Sequence, residues 1–168
     1  MKPLDQFGDT GPAVARRLLA ELDLLEQHLA ARRDWHTQQP GRDWTPGQEA
    51  EHVLLVSESS AKIVSLLLSD RPLRAFPQVP GEVRDGRRQA PAGLLPSAQA
   101  PEWQDLQARW QASREQLAAL CQAAPTQSER RLWHPFLGEL DALDWLRMNT
   151  GHIESHRRLL EQSLPTSG

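Results

Sequence analysis

Near the C-terminal end, the segment GHIESH places His152 and His156 four residues apart, and far upstream EAEHVLL carries His52. On a helix, positions i and i+4 project from one face, so His152 and His156 present two imidazoles to one ion when that face points inward. Two ligands make a weak site. A third nitrogen from a facing helix completes the three-histidine set of catalytic metal centres, which keep one or more positions open for water or substrate. His52 is the candidate third donor, because its i+3 and i+4 neighbours Leu55 and Val56 belong to the apolar side of its own helix. An inward histidine needs a polar partner or a metal, since a buried unsatisfied nitrogen costs roughly 1–3 kcal/mol. Spacing alone leaves two readings open: exposed or hydrogen-bonded histidines, or one shared metal site.

Four helical stretches can position these residues. Residues 11–35 open with Gly11-Pro12 and set Val14, Leu18, Leu22, Leu25 and Leu29 at spacings of three and four, the stripe of an amphipathic helix. The second start signal is sharper. In WTPGQEAEH, Thr45 caps, Pro46 fits the first helical position and Gln48 completes a capping box, giving a helix to about Leu68. Residues 70–100 hold Pro72, Pro77, Pro80, Pro91 and Pro96 with glycines between them, so a long irregular loop is expected. Its Arg71, Arg74, Arg84, Arg87 and Arg88 suit either a solvated crossover or an anion-binding lid. A third helix is expected from Pro101, interrupted near Ser113 and ending before Pro125. A fourth follows the link RLWHPFLGEL, and its Leu143, Leu146, Ile153 and Leu160 keep one apolar side to about Gln162. With no strand-like alternation of any length, the expected fold is all-α: a four-helix bundle with a long crossover loop between helices two and three.

Composition narrows the function classes. A chain of 168 residues is the size of one domain, so residues 1–168 read as a single unit. A formal net charge of -3 leaves no electrostatic footprint for nucleic acid and no polybasic membrane surface, which points to small or neutral partners. The apolar runs are too short to span a bilayer and MKPLDQFGD lacks a signal peptide's apolar core, so a cytoplasmic location is expected. The lone cysteine, Cys121, excludes an internal disulfide. In EQLAALCQA it takes an apolar helical position, where an inert buried thiol is the expectation.

Two segments, DWTPGQEAEHVLLVSESS and HPFLGELDALDWLRMNTGHIESHRRLL, together resemble the signature of the DinB-like superfamily, also called the YfiT-like metal-dependent hydrolases. The pattern is a Trp and a small cap before helix two with a histidine several residues in, then an HP-x-x-G turn, a Trp-containing segment and H-x-x-x-H on the last helix. Here those elements are Trp44, Thr45 and His52, then His134, Pro135, Gly138, Trp145, His152 and His156. One departure is visible: Leu159 stands where many relatives carry glutamine. The resemblance implies a bundle holding a divalent metal, nickel or zinc, on His52, His152 and His156.

Around that site, Asn149 and Trp145 share the helix-four face, Asn149 as a pocket residue and Trp145 as pocket wall or core. His134 either reaches the metal rim or bonds its own turn. Glu49 and Glu51 either orient a ligand imidazole or face water. His28 and His36 match nothing in the family pattern and are expected at the surface. Relatives that resemble bacillithiol or mycothiol S-transferases suggest a low-molecular-weight thiol as a second cofactor, with the ion activating either that thiol or water. The alternatives are a non-catalytic metal- or small-molecule-binding bundle and a metal-free interaction module. The exposed sides of helices one and three allow a homodimer without requiring one.

Overall fold

The computed structural model describes residues 3–75 and 77–163. Four helices dominate it: α1 (Gly11–Ala31), α2 (Pro46–Leu67), α3 (Trp103–Ala123) and α4 (Ala142–Gln162). Their starts follow the residues. Thr10 caps α1 by accepting from the Ala13 amide, and Thr45 and Gln48 form the reciprocal capping box of α2 at 3.2 and 3.0 Å. Asp141 caps α4 by accepting from the Asp144 amide at 3.0 Å.

Each helix turns its apolar stripe inward, and the core is continuous from Leu18 and Leu25 through Leu54 and Val64 to Leu106, Leu117, Leu143 and Ile153. Helices α1 and α2 each pack between α3 and α4, which places sequence neighbours α1 and α2 on one diagonal of the bundle. The loop after α2 ends beside the start of that same helix. The Gln48 side chain donates to the carbonyls of Ser97 and Ala98, and Trp35, which packs over Gly47, donates to the Pro101 carbonyl at 2.9 Å. The loop therefore carries the chain back along the bundle, so α3 sets out from the same end as α2, and the two run parallel.

Several local expectations need correction. The first helix stops at Ala31 rather than residue 35, because Arg32 leaves the helix and sends its guanidinium to Asp34 and to the Leu160 carbonyl near the end of α4. The third begins at Trp103, two residues later than expected, and passes Ser113 without interruption, burying it. The long loop and the RLWHPFLGEL link are not strand-free. Within the loop, β1 (Val83–Arg84) pairs antiparallel with β2 (Arg87–Arg88) across Asp85-Gly86, both at positive φ as a tight primed turn demands. The link is a second hairpin, β3 (Leu132–His134) against β4 (Gly138–Leu140), with His134 opposite Gly138. Among the described residues no helix is long and apolar enough to cross a membrane.

Candidate metal centre

Helix α2 delivers His52 and α4 delivers His152 and His156 to one point, where a nitrogen from each ring lies within 4.8 Å of the others. Their expected convergence is thus present. His52 is buried, and His152 and His156 are half-buried. Two packing features fix the rotation of α4 that aims its histidines at α2. The Phe7 ring lies so close to Gly151 that a Cβ there would meet it at 2.8 Å, and Arg157, next to His156, donates to Glu21 on α1 at 2.6 Å.

Two of the rings are held from behind. His52 Nδ1 donates to the Leu94 carbonyl at 2.7 Å, and His156 Nδ1 faces Glu49 Oε2 at 2.5 Å. Both contacts put the proton on Nδ1 in the neutral ring and leave Nε2 bare, which is the tautomer that ligation through Nε2 needs. His52 Nε2 then meets His152 Nε2 at 3.1 Å, near the roughly 3.3 Å separating two nitrogens that share a tetrahedral zinc. His152 Nδ1 is enclosed without a partner. Three rings this close, one with an orphaned nitrogen, make a poor structural hydrogen-bond set and a suitable donor set for a divalent ion.

The electrostatics favour the uncharged form of His52 and His152. Burial, then the neighbouring His156 charge, pushes His52 down to about 4. Burial, then the charges of His156, His52 and His134, holds His152 well below its ordinary value. Neutral imidazoles are the form that ligates. Burial raises the Glu49 carboxyl, but its bond to and attraction for His156, together with Arg42, outweigh this and leave it below the ordinary glutamate value. Arg42 also donates to the other Glu49 oxygen, so the carboxylate stays ionised behind His156.

The remaining candidates surround this centre in different ways. His134 sits on β3 with its ring 5.1 Å from that of Trp145, and its Nδ1 accepts from the Phe136 amide at 3.2 Å, so it bonds its own turn. Burial and the charge of Arg88 push it down to about 4. Trp145 is buried, as a core residue would be. Asn149 is fully enclosed and shares hydrogen bonds with Ser57 on α2. The Trp44 ring lies against His52 at 4.7 Å. Leu159 is partly exposed. His36 is exposed as expected, whereas His28 is half-buried and accepts from Arg32 at 3.1 Å. An open depression of about 760 Å³, lined by Asp9, Ser128, Asp141 and Arg147 among others, includes none of the three histidines.

Sequence reasoning named Glu49 and Glu51 only as helix glutamates that orient a ligand or face water; both are buried and both are bonded. Of the two alternatives for Glu49, the ligand-orienting one holds, and the ring it orients is His156 on the facing helix. The Leu94 carbonyl had no signal in the sequence, because a backbone acceptor carries no mark in residue type.

Comparison with known proteins agrees with the four-helix fold. The model of the DinB superfamily matches residues 11–160. Among solved structures, the chain is similar to the crystal structure of TT2238, a four-helix bundle protein, at 27% identity and a TM-score of 0.61, covering 89% of this chain and 95% of that one. No curated protein matches it. With the family match running from the first helix almost to the end of the last, and three histidines meeting between α2 and α4, this chain belongs to the DinB superfamily.

Proposed function

We propose that His52, His152 and His156 hold a divalent ion, nickel or zinc, and that the protein is a cytoplasmic metal-dependent enzyme acting on a small molecule. The observation that carries this reading is the arrangement of the rings: two are turned by Leu94 and Glu49 so that bare Nε2 atoms face inward, and the third stands 3.1 Å from the first. Bound by neutral imidazoles, a divalent ion keeps its full positive charge and eases proton loss from a water or a low-molecular-weight thiol beside it, for hydrolysis or for transfer to an electrophile. The chain's own part is to bring three ring nitrogens to one point, to hold His52 and His156 by their Nδ1 contacts, and to shield the cluster with Trp44 and the returning loop.

The test is elemental analysis of gently purified protein, without chelators or a histidine-rich tag, for the wild type, His52→Ala and His156→Ala. Near-stoichiometric metal in the wild type and its loss in both variants is expected. A wild type that stays metal-free after incubation with nickel and with zinc would refute the reading. Turnover of electrophiles with added thiol, and of hydrolysable substrates, should then depend on the ion.

A second reading, a bundle that keeps its metal for stability alone, is favoured by the position of the 760 Å³ depression away from the histidines. It requires metal removal to lower the melting temperature while no substrate shows metal-dependent turnover.

A further inference from the structure

The crossover loop returns to the bundle at residues 94–98 and is fastened there by a buried carboxylate. Glu51, 6% exposed, gives one oxygen to the Ser97 amide at 2.9 Å and the other to the Ser97 hydroxyl at 2.7 Å. Gln48, one turn earlier on α2, donates to the carbonyls of Ser97 and Ala98. Three residues before Ser97, the Leu94 carbonyl accepts from His52 Nδ1. Between those two points the chain has little freedom: a 3-10 turn covers Ala92–Leu94, and Pro96 fixes its own φ. Among the described residues, the oxygen that orients His52 is thus on a loop, and what fixes that loop is the residue beside His52 in sequence.

We infer that Glu51 is a positioning residue for His52, acting through the 94–97 strap. Burying a carboxylate is costly unless it is fully bonded, and here both oxygens are spent on one loop residue. A clamp that only closed the loop would have no need to set a carbonyl against a ring nitrogen. Through this strap, loop closure selects the His52 tautomer with its proton on Nδ1 and its Nε2 free to bind. The consequence for metal affinity rests on the proposed metal function; the consequence for the tautomer does not.

The test uses the full chain as wild type, Ser97→Ala, Glu51→Gln and Glu58→Gln. The last cuts the pair between Glu58, on the same helix as Glu51, and Arg109 on α3, away from the strap, and serves as the stability control. Because Ser97 is exposed, its truncation leaves the core intact. Two-bond proton–nitrogen correlation spectra of the metal-free protein should show His52 protonated on Nδ1 in the wild type and in Glu58→Gln, and mixed tautomers in the two strap variants. Competition with a chromogenic chelator should show zinc affinity about ten-fold weaker in Ser97→Ala and Glu51→Gln than in Glu58→Gln. An unchanged His52 tautomer in both strap variants would overturn the inference, as would unchanged affinity in both alongside a wild type that binds zinc. A tautomer shift in the strap variants alongside a wild type that binds no zinc would uphold the positioning role and sink the metal function instead.

Discussion

Glu49 Oε2 stands 2.5 Å from His156 Nδ1, a contact across 107 residues of chain that ties α2 to α4. The carboxylate is itself held by Arg42 and is almost fully buried, so its charge acts in a weakly screened setting. A carboxylate behind a histidine fixes the ring and makes its far nitrogen a better donor. The pair joins the capping end of α2 to the second histidine of GHIESH.

Replacing that carboxylate should therefore weaken metal binding more than folding. Glu49→Gln preserves shape and an acceptor oxygen while removing the charge, and zinc or nickel affinity should fall roughly 10–100-fold. A competitive titration measures it. Wild-type affinity in the variant would mean that packing alone orients His156.

The bundle itself was legible in the sequence, because its signals are local. The stripes Val14 to Leu29 and Leu143 to Leu160 repeat every three or four residues, and Thr45-Pro46 with Gln48 marks a helix start unambiguously. The hairpins were not, since strands of two and three residues are too short to show alternation. Asp85-Gly86 was the one cue for the first. For the site, His52, His152 and His156 were visible through spacing and family pattern together. Of their supports, Glu49 was visible only as one of two alternatives, because the histidine it answers lies on another helix, and Leu94 was not visible, because it contributes only backbone.

The lowered histidines make the metal-free protein acid-sensitive. His52 and His134 take up protons near pH 4 when folded but near 6.5 when unfolded. Between those values the unfolded chain binds more protons, so stability is complete above about pH 6.5 and is lost as the pH falls toward 4. Each group contributes a slope of up to roughly 1.4 kcal/mol per pH unit, less for the half-exposed His134. Urea midpoints of chelator-treated protein at pH 7, 5.5 and 4.5 should fall steadily, and His134→Phe should flatten the decline. A midpoint constant over that range would contradict the buried, neutral state of both rings.

Gly151 should reverse the usual helix rule. Alanine in place of a helical glycine ordinarily stabilises by about 1 kcal/mol. Here a Cβ would come 2.8 Å from the buried Phe7 ring, and displacing that ring should cost roughly 1–3 kcal/mol. Gly151→Ala should thus lower the thermal midpoint, and adding Phe7→Leu should recover part of the loss by giving the methyl room. A cycle of the two single variants and the double measures the coupling, which should be non-zero because the groups touch.

Cys121 decides where the thiol in a thiol-transfer reaction comes from. It is fully buried on α3, and burial pushes its thiol up to about 12, so the chain's own sulfur is neither ionised nor accessible at neutral pH. An aromatic disulfide reagent at pH 8 should label native protein negligibly over minutes and label one equivalent after denaturation. Cys121→Ala should keep metal stoichiometry and cost a few kcal/mol at most, as expected for a small buried truncation. Any metal-dependent transfer activity should survive that substitution and rise with the concentration of added thiol until it saturates. Loss of turnover in Cys121→Ala with metal retained would place the nucleophile inside the chain and refute an exogenous thiol.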